Sequence, residues 1–217
     1  TSHDLQEPIN SIISFIDLFK LEYSDVLSGN GLKYLKYIDS SSKRIRTMVK
    51  ELLSYSRLGK SSQIKEVDLN NIIDDVKQDL HKSITDTNAT INSEELPFIF
   101  GYETELRVLF QNLISNAIKF QPDGQKPVVD IWAIDNESKI TIFVSDNGIG
   151  IPTNYTEKIF DIFRRVHSTK KYAGTGIGLA RCKKIIELHE GTIEVKSKNG
   201  NGSVFYFSLY KHLKNEK

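Results

Sequence analysis

Apolar residues recur at alternating steps of four and three along the first 26 residues of the chain. These positions are Leu5, Ile9, Ile12, Ile16, Phe19, Tyr23 and Val26. Such spacing places one apolar stripe along a helix, and a sustained heptad needs other helices to cover it. Residues 28–31 (Ser-Gly-Asn-Gly) break the pattern, and a similar spacing resumes from Leu35 to Leu52. The sequence therefore predicts two long helices, the second ending near Ser56, joined as an antiparallel hairpin.

The hairpin alone cannot enclose a core between two narrow stripes. We therefore expect two copies to associate as a four-helix bundle, which makes the protein a homodimer. The alternative is a hairpin that folds back onto the rest of its own chain. The polar stretch that follows, with Gly59, Lys60 and Ser61, suits a hinge. The predicted organisation is a helical hairpin over 1–58, a linker over 59–66 and a second domain over 67–217.

Short strand patterns and longer helical patterns are mixed in the second domain. Helices are predicted over about 70–85 and 102–120, and strands over 64–69, 89–91, 98–100, 128–134, 140–145, 191–196 and 204–209. The last two strands read as a hairpin around Gly200 and Gly202. Because neighbouring strands can pair directly, this order predicts an α+β sandwich: a mixed sheet covered by helices on one face.

Composition narrows the class of protein. Of the 217 residues, 39% are hydrophobic, which is ample for a buried core, and the net charge of +1 gives no general reason to bind nucleic acid or a membrane surface. One cysteine, Cys182, excludes an internal disulfide framework and fits a reducing compartment. No apolar run approaches the ~20 residues of a membrane span. We expect a cytoplasmic piece of a longer protein, since the chain starts at Thr1 inside a helical pattern, and the missing part could carry a membrane anchor.

Two glycine clusters carry the first sign of chemistry. One runs from Asp146 to Pro152 (DNGIGIP) and the other from Gly174 to Ala180 (GTGIGLA). Glycines at alternate positions allow the backbone to approach a ligand, and successive N–H groups can bind phosphate oxygens. A helical pattern starts at the second cluster, so a helix N-terminus would face the anion there. Together the clusters predict a nucleotide site; each alone is equally well an ordinary turn.

Two familiar phosphate motifs do not account for these clusters. Gly59-Lys60-Ser61 resembles the end of a Walker A loop, but Ser54 stands where that loop needs its first glycine. Gly148 and Gly150 begin a dinucleotide fingerprint, but Thr153 occupies the position of its third glycine. Both interpretations fail.

Polar side chains on the helix ending near Phe120 form a second candidate group. Asn112 and Asn116 are four residues apart, so they share one helix face, and Lys119 follows. An amide oxygen can ligate Mg²⁺ and a lysine can reach phosphate. Taken alone, two solvated asparagines would be the simpler interpretation.

The segment between the glycine clusters is long enough to be a lid over a bound nucleotide. Phe160 and Phe163 could attach it to the core, and Arg165 or Lys170 could reach bound phosphate. A short surface helix that buries two phenylalanines is the plainer alternative, and the two are compatible.

A histidine near the start of the chain completes the candidate chemistry. His3 lies two positions before Leu5, off the apolar stripe, and should face solvent. Asp4 could hold one ring nitrogen protonated and leave the other free to attack. Pro8 should loosen the helix nearby.

The four groups resemble, in order and spacing, the motifs of bacterial sensor histidine kinases of two-component systems, particularly the phytochrome-like branch, over essentially the whole chain. Residues 3–8 (HDLQEP) resemble the phosphoacceptor motif and residues 112–120 the asparagine motif. The clusters at 146–152 and 174–180 resemble the two glycine motifs, with 160–165 matching the phenylalanine motif between them.

The resemblance implies a dimerisation and phosphotransfer hairpin followed by an ATP-binding domain shared with gyrase, MutL and Hsp90 ATPases. By that similarity His3 would attack the γ-phosphate of ATP, with Asp4 orienting it and Mg²⁺ assisting, and a response regulator receiver domain would take the phosphoryl group. Asp146 would accept from the adenine amino group and Asn116 would ligate Mg²⁺. The remaining implied nucleotide-binding residues are Asn112 (also catalytic), Lys119, Gly148, Gly150, Arg165, Gly174, Thr175, Gly176, Gly178 and Leu179.

One position departs from relatives that also act as phosphatases. Many of them carry Thr or Asn four residues after the phosphoacceptor, where this chain has Glu7. The expectation is therefore kinase and phosphotransfer activity, with phosphatase activity in doubt. Two rivals remain open: an ATPase clamp that has no use for His3, and a nucleotide-binding dimeric scaffold without kinase activity.

Overall fold

A computed structural model describes residues 2–23, 25–59, 63–136, 138–166, 172 and 174–211, with side chains from Leu5 onward. The chain divides into two compact units between Arg57 and Leu58.

The first unit is the helical hairpin that the heptad spacing predicts. Its helices are α1 (Ser2–Tyr23) and α2 (Asn30–Ser56). Val26, the last residue of the predicted stripe, lies beyond α1, because the N–H groups of Val26 and Leu27 both bond to the Tyr23 carbonyl and close the helix there. Lys20 of α1 lies 2.6 Å from Asp39 of α2 and links the two helices. This ion pair, with Lys43 as a second partner, lowers the pKa of Asp39.

The hairpin buries little of its apolar surface. Among its described residues the buried side chains are Ile13, Ile16 and Ser42. Two heptad-spaced rows stay 37–53% exposed, one row on each helix: Leu5, Ile12 and Phe19 on α1, and Ile38, Ile45 and Leu52 on α2. Residues seven apart share a helix face, so each helix presents an apolar row that its own partner helix leaves uncovered.

The second unit alternates strands and helices. They are β1 (Lys65–Asp68), α3 (Leu69–Asp79), α4 (His81–Thr87), β2 (Thr90–Ser93), β3 (Phe98–Gly101), α5 (Glu103–Lys119), β4 (Val128–Asp135), β5 (Lys139–Asp146), α6 (Gly178–Leu188), β6 (Ile193–Ser197) and β7 (Ser203–Tyr210). Two short 3₁₀ turns, Thr153–Tyr155 and Lys158–Phe160, lie between β5 and α6.

Two predicted boundaries are wrong in this unit. The single helix expected over about 70–85 breaks at Leu80 into α3 and α4. Strand β1 begins at Lys65, inside the stretch 59–66 given to the linker, because Lys65 and Glu66 pair with β3. Leu58 already packs against the core of this unit.

The sheet confirms the predicted α+β sandwich. Five strands run in the order β2-β4-β5-β7-β6, with β2 parallel to β4 and the other pairs antiparallel, while β1 and β3 form a separate ribbon. One sheet face carries fully buried side chains such as Ile131, Ile142 and Phe207. Phe207 meets Phe110 of α5 edge-on, with ring centroids 5.8 Å apart. The helices therefore cover this face and close one continuous core.

Alternate residues on the other sheet face form an aromatic row. Trp132 stacks on Phe143 with centroids 5.0 Å apart and rings 3° from parallel, and Phe143 lies 5.9 Å from Tyr206. These side chains are half-buried. Each comes from a different one of three adjacent strands, β4, β5 and β7, so the row crosses the centre of the sheet.

Candidate nucleotide site

Helix α5 positions the predicted asparagine group along the edge of the core. Its buried face, which includes Leu109, Leu113 and Ala117, fixes the rotation of the helix against the sheet. Asn112 and Asn116 are consequently half-buried at the margin of that face, and Lys119 ends the helix exposed. The Lys119 ammonium lies 4.1 Å from the centroid of the Phe120 ring, a cation–π contact.

Asn112 and Asn116 differ in their hydrogen bonding. Asn112 Nδ2 donates to the Val108 carbonyl at 2.8 Å, which orients the amide and leaves Oδ1 toward α6. A β-carbon on Gly178 would lie 2.8 Å from that oxygen, so only glycine permits this approach. The Asn116 carboxamide makes no hydrogen bond within the described part of the chain. A half-buried amide with its oxygen uncommitted suits a hard cation such as Mg²⁺.

Asp146 ends β5 and turns its carboxylate back onto the loop that follows. Its Oδ1 accepts from the Gly148 N–H at 2.8 Å. Burial raises the pKa of Asp146 to about 6, and hydrogen bonds from Gly148 and Ser203 oppose that rise. The carboxylate is thus a partly desolvated acceptor, able to receive a hydrogen bond from a ligand amino group.

The first glycine cluster packs directly against the end of α5. Ile149 N–H donates to the Phe120 carbonyl at 3.0 Å. A side chain on Gly148 would clash with that same carbonyl and with Asp146 Oδ1, so glycine is required for the close approach. Gly150 takes a left-handed φ of 69° and returns the chain toward Ile151, which enters the core.

Gln121 is a site residue that sequence reasoning missed. It is only 8% exposed, and its Nε2 donates to the Ala117 carbonyl at 2.7 Å, which caps the last turn of α5. The same nitrogen lies 3.4 Å from where a β-carbon of Gly148 would be. Its Oε1 is a buried acceptor without a donor in the described residues. The signal available in the sequence was a polar residue directly after the asparagine motif at 112–120.

The second glycine cluster leads into α6. Thr175 is buried, and the helix begins at Gly178 without a side-chain cap on its first turn. Uncapped N–H groups and the helix dipole form an anion site. A β-carbon on Gly174 would lie 3.3 Å from Lys119 Nζ, so the cluster also meets a cation. Leu179 is half-buried and packs against the core.

Arg165 lies beside this cluster, with its guanidinium directed at the backbone. Nη1 donates to the Gly174 carbonyl and Nη2 to the Tyr172 carbonyl, both at 2.6 Å. Phe163 N–H donates to the Gly176 carbonyl at 2.9 Å. Phe160 is buried and Phe163 exposed, so one of the two predicted aromatic anchors enters the core.

The remaining predicted site residues belong to the hairpin. His3 and Asp4 lie in the first turn of α1, and their side chains are outside the described residues. Cys182, by contrast, is a packing residue: burial raises the pKa of its thiol to about 12, which keeps it protonated.

The two glycine clusters therefore meet along the edge of α5, and we call the region that they form with this helix the cradle. Gly148 approaches the end of α5, Gly174 approaches Lys119 and Gly178 approaches Asn112. The cradle brings together a partly desolvated carboxylate, a lysine and an uncapped helix start. This arrangement fits a ligand with an amino-bearing base and an anionic tail.

Comparison with protein families agrees with this geometry. Residues 101–213 match the family described as histidine kinase-, DNA gyrase B-, and HSP90-like ATPase, and residues 1–61 match the His kinase A (phospho-acceptor) domain.

Similar curated proteins include a phytochrome-like protein and a cyanobacterial phytochrome. The phytochrome-like protein Cph1 of Synechocystis is 36% identical over 209 residues, covering 96% of this chain and 28% of that protein. Cyanobacterial phytochrome A of Nostoc is 38% identical over 211 residues, covering 96% of this chain and 27% of that protein. The chain thus spans less than a third of the length of these relatives.

Solved structures with the same fold include the following two. Full-length ShkA in complex with AMPPNP aligns with a TM-score of 0.69 at 23% identity, covering 98% of this chain and 45% of that one. Histidine kinase ThkA in complex with the response regulator TrrA aligns with a TM-score of 0.67 at 28% identity, covering 95% of this chain and 59% of that one. No helix in the described residues combines the length and apolar character needed to cross a bilayer.

Proposed function

The chain belongs to the histidine kinase family, with a phospho-acceptor domain followed by a GHKL ATPase domain, and on this premise we propose that it is an ATP-dependent autokinase that phosphorylates His3. The observation that carries the proposal is the convergence of both glycine clusters on α5, between Asp146 and the start of α6. The ATPase clamp and the silent scaffold leave the phosphoacceptor histidine without a role.

The nucleotide would lie along the cradle with its base at Asp146. The carboxylate accepts from the adenine amino group, and the loop at Gly148 and Gly150 borders the base. Lys119 and the N–H groups at the start of α6 face the phosphates. Asn116 would hold Mg²⁺, which would supply charge neutralisation on the phosphate oxygens, and Asn112 would face the phosphates.

Phosphoryl transfer depends mainly on positioning and charge neutralisation. One imidazole nitrogen of His3 attacks the γ-phosphorus as the bond to the β,γ-bridging oxygen breaks. An N–P bond forms and ADP departs with the electron pair of the broken bond. Asp4, the next residue, would hold the proton on the other ring nitrogen and stabilise the positive charge that develops on the ring.

We further propose a homodimer and a response regulator partner. The exposed rows containing Ile12 and Ile45 supply apolar surface for a second hairpin, consistent with a four-helix bundle. A kinase that is 28% identical is seen with a response regulator, so a receiver-domain aspartate is the expected acceptor from phosphorylated His3. Glu7, where phosphatase relatives carry Thr or Asn, makes kinase activity the expected direction.

The test is incubation with γ-labelled ATP and Mg²⁺, comparing wild type, His3→Gln and the control His81→Gln, which alters an exposed histidine of α4. We expect acid-labile, alkali-stable protein label in wild type and control, and none in His3→Gln, with ATP affinity unchanged in all three. Phosphate release without labelled protein would support the ATPase clamp instead. Nucleotide binding with neither product would support the scaffold.

A further inference from the structure

Arg165 joins two points of the segment that enters the second glycine cluster. Its two terminal nitrogens each donate to a backbone carbonyl at 2.6 Å, one on Tyr172 and one on Gly174. Hydrogen bonds from a guanidinium are charge-assisted, and the planar fork fixes the direction of both. The spacing of the two carbonyls is thereby set by a rigid group.

Tyr172 attaches the same segment to the end of α5. Its hydroxyl donates to the Gln121 carbonyl at 2.8 Å, and its ring lies 5.1 Å from that of Phe120. The side chain is only 8% exposed. A tyrosine buried this deeply with its hydroxyl bonded is a fixed anchor, and α5 is the helix that carries Asn112, Asn116 and Lys119.

The segment held in this way lies on the cationic side of the cradle, where the phosphates of ATP would bind. Gly174 lies against Lys119, and Gly176 is bonded through its carbonyl to Phe163 N–H at 2.9 Å. Glycine loses more conformational entropy on ordering than any other residue. Fixing these glycines before the ligand arrives removes that cost from binding.

We propose that Arg165 and Tyr172 are positioning residues for the phosphate-binding segment, and that Arg165 acts through the Tyr172 and Gly174 carbonyls and not by contacting phosphate. The sequence alone suggested direct phosphate contact for Arg165. The proposal rests on the proposed function, because it takes ATP to be the ligand of the cradle.

The two roles respond differently to lysine. A phosphate contact depends largely on positive charge, which Arg165→Lys keeps. A bridge between two carbonyls depends on the planar fork, which a single ammonium cannot reproduce. The two roles also make different predictions for Tyr172. Its hydroxyl bonds to a carbonyl and brings no charge to a phosphate, so its loss should matter only if the segment must be positioned.

The experiment measures the affinity of the whole chain for Mg²⁺-ATP and for adenosine in Arg165→Lys, Arg165→Gln, Tyr172→Phe and the double variant Arg165→Lys/Tyr172→Phe. We expect both Arg165 variants to weaken ATP binding alike, by about tenfold, since each loses the charge-assisted bridge. Tyr172→Phe should weaken it by about threefold. Adenosine affinity should change by less than about twofold, because the segment faces the phosphates.

The double variant tests whether the two residues act as one device. If they position the same segment, the double variant binds ATP no more weakly than Arg165→Lys, so the two effects are non-additive. Arg164→Lys and Tyr155→Phe are matched controls, since Arg164 rests over the Tyr155 ring at 5.4 Å, and both should bind as wild type does.

Near-normal ATP affinity in Arg165→Lys with loss in Arg165→Gln would overturn the proposal in favour of phosphate contact. Normal affinity in Tyr172→Phe, or full additivity in the double variant, would overturn it as well. If thermal melting shows that the Arg165 variants do not fold, the proposal is tested by comparing the ATP affinity of Tyr172→Phe with that of Tyr155→Phe. Failure of the wild type to bind ATP would refute the proposed function and is thus a separate outcome.

Discussion

The hairpin leaves apolar side chains on its surface, whereas the second unit encloses polar ones. On α1 and α2 the rows of Ile12 and Ile45 are exposed, although they repeat at heptad spacing. In the second unit His189 and Gln121 are buried and Asp146 is partly desolvated. Uncovered apolar surface requires another protein surface, and buried polar groups require a partner or a ligand. Each departure from a simple core therefore indicates what the unit does.

The largest effect is expected from a substitution in the exposed apolar row of α1. Ile12→Glu places a carboxylate in the proposed dimer contact, once in each copy, and should raise the dimer dissociation constant by about 100-fold or more. Sedimentation equilibrium measures this directly. Ser14→Glu, at an exposed position of the same helix, is the matched control and should stay dimeric. An Ile12→Glu protein that remains a dimer at low micromolar concentration would show that this row is not the contact.

A medium effect is expected at Asp146, where one substitution should increase stability and decrease ATP affinity. Its pKa of about 6 in the fold lies above the ordinary 3.8, so the folded state is favoured by protonation and loses that stabilisation as pH rises through 6. Asp146→Asn removes the charge and should raise the free energy of unfolding at pH 8 by about 1–3 kcal/mol, with no gain below pH 4. The Gly148 N–H would occupy the amide oxygen, so ATP affinity should fall by about tenfold or more.

Denaturant unfolding and ATP titration at pH 8 measure the two consequences of Asp146→Asn. A variant that is less stable than wild type at pH 8 would show that the carboxylate is kept for structure. The expected combination, higher stability with weaker nucleotide binding, identifies a charge that the fold retains for its ligand.

The smallest effect is expected at His189, which serves structure alone. Its Nδ1 donates to the Ile185 carbonyl at 2.8 Å and its Nε2 accepts from Tyr102 N–H at 3.0 Å, which requires the neutral ring. Burial lowers the pKa of His189 below 6.5, although the bond to Ile185 and the charge of Glu105 oppose this.

Because the unfolded state takes up the His189 proton first, stability should decline as pH falls below about 6.5, by at most about 1.4 kcal/mol per pH unit. Asp146 titrates with the opposite sign in the same range, so the measurement belongs in the Asp146→Asn background. Adding His189→Gln there should remove the slope. A slope that persists would assign it to another group.

Elements with a strong period could be predicted from the sequence, and those set by distant contacts could not. The hairpin, α5 and the pair β4–β5 follow from local spacing. The break at Leu80 has neither Gly nor Pro to mark it, and Leu80 and Ile84 both pack on the core, so tertiary packing divides the helix. Val26 continues the apolar period beyond α1, but the backbone turns at Tyr23.

In the site, too, features set by residue type could be predicted and features set by distant contacts could not. Asp146, the glycines and the α5 asparagines could be proposed from residue type and order, because each chemistry needs that residue. The bonding of Arg165 could not, since a guanidinium suits phosphate and carbonyl equally, and its partners are set by where Tyr172 is anchored. Gln121 was missed because its meaning depends on Gly148, 27 positions later in the chain.

Trp132 makes the contrast between the two units measurable by optical means. It is the sole tryptophan among the 217 residues, and it stacks face to face on Phe143 in the central sheet. Emission excited at the red edge of protein absorbance therefore comes from the ATP-binding unit, while the hairpin, with tyrosine and phenylalanine as its aromatics, contributes no indole signal. Intrinsic fluorescence would report unfolding of the sheet, and helical circular dichroism would also report unfolding of the hairpin. Two unlabelled spectra of one sample could therefore follow the unfolding of each unit separately.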